Sequence, residues 1–187
     1  MSFQLNFIYI VYSESLPIKH IFQSGERFSI QFLPFSLEWQ SSAQDLILTG
    51  LREHFGTLNY DLNPDLENIN DSYLAHHPRQ TFLLAICKNQ VVGTGALISE
   101  PEAISELPEI MENVGRICRM SVDQSLRHQK IASSILFLLE NEAHRFGYRK
   151  IVLETTKEWV GVRKFYQSCG FIEEGERNGD IHFFKKL

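Results

Sequence analysis

A chain of 187 residues, 43% apolar and 22% charged, has the size and composition of one soluble globular domain with a sizeable core. Its formal net charge of −5 argues against a nucleic-acid binder, which carries a basic face, and suits cationic or small-molecule partners. The apolar run Phe7 to Tyr12 is far too short to cross a bilayer and lacks the flanks of a signal peptide, so no membrane association is expected.

Three cysteines, Cys87, Cys118 and Cys169, are odd in number and lack metal-ligand spacing. They read as free thiols of a reducing, cytoplasmic protein with no metal site. Residues 1–26 fit no single element: an additional strand, a partner-binding arm or a leader ahead of the domain are all compatible with them. A domain of 27–187 follows.

Phe28, Ile30 and Phe32 alternate with Ser29 and Gln31 as in a half-buried strand, which Pro34 ends. Ser41 with Gln44 suggests a capping box for a helix through Ala43, Ile47, Leu51 and Phe55, closed by Gly56. Asn63-Pro64 opens a short second helix through Leu66, Ile69 and Tyr73. Asp61, Asp65, Glu67 and Asp71 around it are either a solvated face or a rim that attracts an amine. His76 and His77 read as surface residues at a helix end.

Thr81 to Cys87 and Val91 to Ser99 form a hairpin about Lys88-Asn89-Gln90, with Gly93 and Gly95 marking a bulge or a close backbone approach. An acidic link then runs to Asn113 and reads as an exposed connection. From Arg116 comes a strand, a polar turn at Asp123 to Ser125, and a helix with Ile131, Ile135, Leu139 and Ala143 on one face, stopped by Gly147. Lys150 to Thr156 is a further strand, and Thr155 with Glu158 suggests a capping box for a helix ending near Cys169. Strands from Phe171 and over Ile181 to Lys186 close the chain. The result is an α/β (α+β) arrangement: a mixed sheet of about six to seven strands with about four helices. The crossover makes the Arg116 and Lys150 strands parallel.

A loop feeding a helix N-terminus presents unpaired N–H groups and a partial positive charge, which suits a phosphate. Arg127, His128, Gln129 and Lys130 place two cations and two further donors at that turn. An ordinary strand-to-helix connection with a solvated basic turn is the alternative.

Arg127 and Ala132 fall at the first and last positions of a segment that resembles the pyrophosphate loop, [R/Q]-x-x-G-x-[G/A], of the GNAT superfamily of N-acetyltransferases. Lys130 stands where that pattern has its first glycine, a substitution suited to backbone that is already helical. Phe165-Tyr166-Gln167-Ser168-Cys169-Gly170-Phe171 is similar to the family's F-Y-x-x-x-G-F segment. The resemblance covers about Arg27 to Leu187. It implies the GNAT fold, acetyl-CoA as cosubstrate and an amine on a small molecule, peptide or protein as acceptor, with a homodimer possible.

By the same resemblance, backbone at Met120, Ser121 and Val122 pairs with the pantetheine, and an N–H near Met120 faces the thioester oxygen. Such a donor is worth about 3 kcal/mol in related chemistry. The diphosphate lies on Arg127, His128, Gln129, Lys130, Ile131, Ala132 and Ser133. Tyr166 takes the position of the general acid. Where many members carry a central-strand glutamate as base, Arg116 stands here. Glu154 on the neighbouring strand is the substitute, with Arg119 as its expected ion-pair partner. Lys130 and the missing glutamate also motivate an alternative: a non-catalytic acyl-CoA-binding or regulatory domain on the same fold.

Overall fold

A computed structural model of the chain describes residues 18–23, 26–56, 62–75, 77–100 and 113–187. Along these run β1 (Ile18–Gln23), β2 (Glu26–Pro34), α1 (Gln40–Phe55), α2 (Ile69–Tyr73), β3 (Thr81–Cys87) and β4 (Gln90–Ser99). Then come β5 (Val114–Val122), α3 (Ile131–Arg145), β6 (Lys150–Thr156), α4 (Val160–Ser168), β7 (Ile172–Arg177) and β8 (Asp180–Lys186). The sheet order among the described residues is β1-β2-β3-β4-β5-β6-β8-β7. β5 and β6 are its parallel pair, joined by the right-sized crossover through α3.

The sheet has eight strands rather than six or seven because Ile18–Gln23, within the stretch that fits no single element, pairs antiparallel with β2 from Ile18↔Gln31 to Gln23↔Glu26. The rest of the N-terminal stretch, Asp61, His76 and the acidic link over 101–112 lie outside the described residues. His77 is exposed, as expected.

Hydrocarbon fills both faces of the sheet. On one, Ile30, Phe32, Ile117, Leu153 and Phe183 meet Ile131, Ile135 and Leu139 of α3 and Tyr166 of α4. On the other, Phe82, Leu84 and Ala96 meet Ala43 and Ile47 of α1 with Leu66, Ile69 and Tyr73. Each large side chain fully enclosed here, Phe32, Phe82 and Phe183 among them, contributes about 2–3 kcal/mol by leaving water. The glycines of β4 let α3 seat closely: a Cβ on Gly95 would stand 2.6 Å from Ile135 and 2.7 Å from the Met120 sulfur.

Three expected helix starts fall elsewhere. α1 begins at Gln40 after a 3₁₀ turn over Leu37–Trp39, so Ser41 lies inside the helix instead of capping it. Asn63-Pro64 opens a 3₁₀ turn, Pro64–Leu66, and α2 is capped separately by Asn68, whose side chain accepts from the Asp71 N–H at 3.2 Å. Thr155 is held within β6 opposite Ile181, and α4 starts after Trp159 with no side-chain cap. Local capping patterns lost in each case to the reach of the neighbouring strand or turn. The three cysteines are free thiols.

Candidate active site

β5 and β6 share only three register pairs, Val114↔Lys150, Gly115↔Ile151 and Arg116↔Val152, and then part toward their C-terminal ends. The other edge of β5 continues to pair with β4 as far as Gly93↔Val122. Beyond Arg116, β5 therefore presents one edge of main-chain donors and acceptors to a widening gap. Opposite Gly95 the register slips, and Arg119 takes a left-handed φ of 53°. For a residue with a Cβ that conformation costs about 1–2 kcal/mol.

The Arg119 carbonyl is fixed by the enclosed Thr94 hydroxyl, which donates to it at 2.8 Å. In a trans peptide the carbonyl and the following N–H point in opposite directions. The Met120 N–H consequently points away from Thr94 and β4, toward the gap. The Met120 side chain packs under Gly95 and that of Ser121 lies against α1. Main-chain groups alternate along a strand, so those of Met120 and Val122 face the gap while those of Ser121 and Asp123 face β4, the Asp123 N–H donating to the Val92 carbonyl at 3.0 Å.

At the mouth of the gap, the loop after β5 is shaped by short-range contacts. Asp123 accepts from the Ser125 N–H and hydroxyl at 2.8 and 2.6 Å, and Arg127 donates to the Val122 carbonyl at 3.3 Å. His128 and Lys130 both have positive φ, 65° and 60°. Lys130 is thus left-handed rather than already helical, as the sequence suggested it needed to be. It adopts the backbone shape that a glycine takes without cost.

A left-handed residue followed by the first turn of α3 turns successive N–H groups to one side, forming an anion-binding concavity. No side chain caps α3, whose first internal bond runs from Ser134 N–H to the Lys130 carbonyl. The N–H groups of Ile131, Ala132 and Ser133 precede that bond and have no intrahelical acceptor. The Ile131 side chain is 1% exposed and anchors the turn, while the Ser133 hydroxyl donates back to the Lys130 carbonyl at 3.1 Å. Gln129 is half-buried, and His128 and Lys130 are exposed. The Arg127 guanidinium is paired with Glu53 of α1.

Lys19 of β1 reaches the same helix end. Its Nζ donates to the Lys130 carbonyl at 3.1 Å and to the Ser134 hydroxyl at 3.2 Å. Burial, then the nearby Lys130 charge, lowers its pKa. The last turn of α1 ties both lips of the gap together. Glu53 holds Arg127 after β5, while His54 and Phe55 stack on Trp159 after β6, at centroid distances of 4.1 and 5.3 Å. A cleft of about 410 Å³ lies between α1 and the loop, lined by Leu46, Gly50, Val122, Gln124 and Ser125 among others. Neither Tyr166 nor Glu154 lines it.

Tyr166 is 6% exposed, its ring packed against Phe165, Phe171 and Phe183. Its hydroxyl makes no hydrogen bond among the described residues. Burial raises its pKa, and the Cys118 thiol of β5 and the Cys169 thiol add to the shift. The phenol is thus held neutral, close enough to Cys118 of β5 to be shifted by it. Cys118 is half-buried, and burial pushes its thiol up to about 12, which leaves it a poor nucleophile.

Glu154 pairs with Arg116 at 2.8 Å and not with Arg119, as the sequence suggested. Arg116 also holds Glu100, and Arg119 is engaged instead by Asp65. β6 parts from β5 after Arg116↔Val152, which leaves Glu154 within reach of Arg116, while the bulge opposite Gly95 turns Arg119 to Asp65, and spacing alone does not show either. His182, opposite Glu154 on β8, lies 3.7 Å from its carboxylate and was not singled out from the sequence, where it sits in an ordinary alternating strand. Asp65 is neither a plain solvated charge nor a free amine-attracting rim, because Arg119 occupies it.

Sheets opened between parallel strands in this way are the mark of the acyl-CoA N-acyltransferase fold. Solved structures that share it include a GNAT-family acetyltransferase from Staphylococcus aureus Mu50 (TM-score 0.72, 24% identity, covering 84% of this chain and 99% of that one) and the PaiA N-acetyltransferase of Thermoplasma acidophilum in complex with coenzyme A (0.67, 16%, 84% and 99%).

The Acetyltransferase (GNAT) family matches residues 41–171, and the chain belongs to it. It is 31% identical to rat N-acetyltransferase 8F1 over 116 residues, 62% of this chain and 49% of that protein. It is 29% identical to the N-acetylaspartate synthetase of Xenopus tropicalis over 136 residues, 70% and 46% respectively. The chain thus matches these curated relatives over about half their length. No helix among the described residues is long and apolar enough to cross a membrane.

Proposed function

We propose that the protein is an acetyl-CoA-dependent N-acetyltransferase that acts on a primary amine of a small molecule or peptide by direct attack. The observation that carries this reading is the parting of β5 and β6, with the Met120 N–H turned to the gap; the buried Tyr166 phenol, close enough to Cys118 of β5 to be shifted by it, supports it. The residues present fit acetyl-CoA. The open amides at Ile131, Ala132 and Ser133, with Arg127, His128, Gln129 and Lys130 around them, suit a diphosphate. The edge of β5 turned to the gap at Met120 and Val122, with Ser121 between them paired to β4, suits the pantetheine amides.

In this reading the amine nitrogen forms a bond to the acetyl carbon as the carbon–sulfur bond breaks. The amine gives up a proton and the departing thiolate receives one. Tyr166 supplies that proton, and its raised pKa keeps the phenol loaded throughout the neutral range. Glu154, steered by Arg116, takes the amine's proton, with His182 as the next carrier. The Met120 N–H stabilises the oxygen as it gains charge. The name of one relative, N-acetylaspartate synthetase, supports a free amino acid as one member of the acceptor panel. Free thiols suit a cytoplasmic setting.

Titration calorimetry with acetyl-CoA, followed by thiol release against a panel of amines, tests the reading. Saturable binding and turnover on at least one amine are expected. Binding with no turnover on any amine moves the protein to a non-catalytic acyl-CoA sensor, and no binding removes both.

A further inference from the structure

Arg119 spends its whole guanidinium on one distant segment. Its Nε donates to Asp65 at 2.9 Å and to the Tyr73 hydroxyl at 3.0 Å, Nη1 donates to Asn63 at 2.9 Å, and Nη2 pairs with the second Asp65 oxygen. The Tyr73 hydroxyl also donates to Asp65. These three partners lie on the turn and short helix that follow α1, on the α1 face of the sheet. At its backbone, the same residue holds the left-handed bulge whose peptide carries the Met120 N–H.

Resting on the acetyl-transfer reading above, we propose that Arg119, Asp65, Asn63 and Tyr73 form a positioning network that sets the aim of the Met120 N–H toward the thioester oxygen. The 119–120 peptide is held from two sides. Thr94 fixes its carbonyl, and the forked side chain fixes the left-handed twist just before it. Left-handed backbone at a residue with a Cβ persists only where its surroundings over-determine it. A partly buried ion pair is weak evidence for stability, since hydrocarbon of equal volume often serves as well. Its contribution here is direction.

The electrostatics agree with the geometry. Burial raises the Tyr73 phenol, the Cys118 thiol adds to the shift, and Asp65 raises it further, so the hydroxyl remains a donor. Burial alone would lower the Arg119 guanidinium, but Tyr73 and Asp65 raise it overall, so the fork stays charged. The network also couples the segment 63–73 to the peptide that faces the gap. Whatever acceptor rests on that segment bears on the N–H through Arg119.

Arg119→Lys keeps the charge and loses the fork. It is expected to lower kcat by about tenfold to a hundredfold while the acetyl-CoA dissociation constant stays within twofold. Tyr73→Phe, which removes one hydroxyl and keeps the ring, is the milder variant should the first fail to fold. It is expected to lower kcat about threefold.

The deciding readout is the carbonyl stretch of acetyl-CoA carrying ¹³C at the acetyl carbonyl, measured by difference infrared spectroscopy on the full chain. In the parent the band moves to lower frequency on binding. In Arg119→Lys or Tyr73→Phe it moves back toward the free thioester. Variants that bind acetyl-CoA with the parent's band and the parent's kcat overturn the network. A parent that binds and turns over with an unshifted band overturns the aim of the N–H but leaves acetyl transfer standing. A parent that does not bind acetyl-CoA removes the acetyl-transfer reading and the network together.

Discussion

The β5 side of the strand split has two parts: the backbone of the loop after the strand is shaped by its neighbours in sequence, and the bulge within the strand by partners 46 to 56 residues away. The loop from Asp123 to Lys130 folds through an Asx turn, two left-handed residues and a helix start, each spanning a few positions. The second wall, on the same strand, is Arg119 clamped to Asn63, Asp65 and Tyr73. A local wall tolerates a change of side chain if the backbone shape survives. A wall built by long-range pairing does not, because removing one partner strands a partly buried charge.

The largest effect expected lies outside both walls, on α4. Tyr166→Phe keeps the aromatic packing against Phe171 and Phe183 and removes only the hydroxyl. Turnover should fall about tenfold or more with acetyl-CoA affinity nearly intact, in line with loss of a general acid. Equal rates for the two proteins take Tyr166 out of the mechanism. The parent's pH profile sharpens the same point. The activity should rise with pH as the amine deprotonates and show no alkaline decline up to about pH 10, the ordinary phenol value, because burial raises the phenol above it. A decline centred well below that pH contradicts the role.

Glu154→Gln comes next, with a loss of about fivefold in kcat on an alkylamine and little change in acetyl-CoA binding. The pair it makes with Arg116 is partly exposed, so thermal stability should move by no more than about 1 kcal/mol. Retained activity in Glu154→Gln together with loss in His182→Gln would transfer the proton-accepting role to His182, 3.7 Å away.

Part of the local wall is legible in the sequence, and for a physical reason. The polar turn after β5 and the start of α3 are set by spacing within one turn, whereas the left-handed backbone of Lys130 is not, because a lysine gives no sign of it. The parallel pairing of β5 and β6 also followed, since a helical crossover allows little else. Arg119 was misread because its partner depends on a bulge opposite Gly95, and a bulge rotates every later side chain relative to simple alternation. Thr155 looked like a helix cap because a threonine ahead of a glutamate has the same spacing in a strand that runs on by one residue. β1 is ambiguous in the sequence because Ile18 to Gln23 shows no apolar–polar alternation, although Ser24-Gly25 after it is a turn dipeptide.

Lys130 is the sharpest test of how far a local wall forgives substitution. Two variants separate the effects that the native lysine combines. Lys130→Gly removes both the ammonium and the left-handed strain, and should raise stability by about 1 kcal/mol in a thermal or denaturant melt. Lys130→Ala removes the ammonium and keeps the strain, so its stability should stay near that of the parent. Loss of the charge alone should weaken acetyl-CoA binding by about threefold in Ala. If backbone shape is what the phosphate meets, Gly should bind at least as well as Ala. A Gly variant that binds much more weakly than Ala would mean that the Lys130 Cβ helps hold the loop open for its ligand.

The smallest effect is expected at Lys19, where a cation from β1 rests on the Lys130 carbonyl and the Ser134 hydroxyl. A positive charge at a helix N-terminus is unfavourable by itself, and burial with the neighbouring Lys130 already lowers the Lys19 pKa. An incoming diphosphate relieves both penalties at once. Lys19→Ala should therefore weaken acetyl-CoA binding by about twofold at low salt, a difference that fades as salt screens the site. The variant should be no less stable than the parent in the absence of ligand. A salt-independent loss, or a clear fall in ligand-free stability, would instead make Lys19 a strut between β1 and α3.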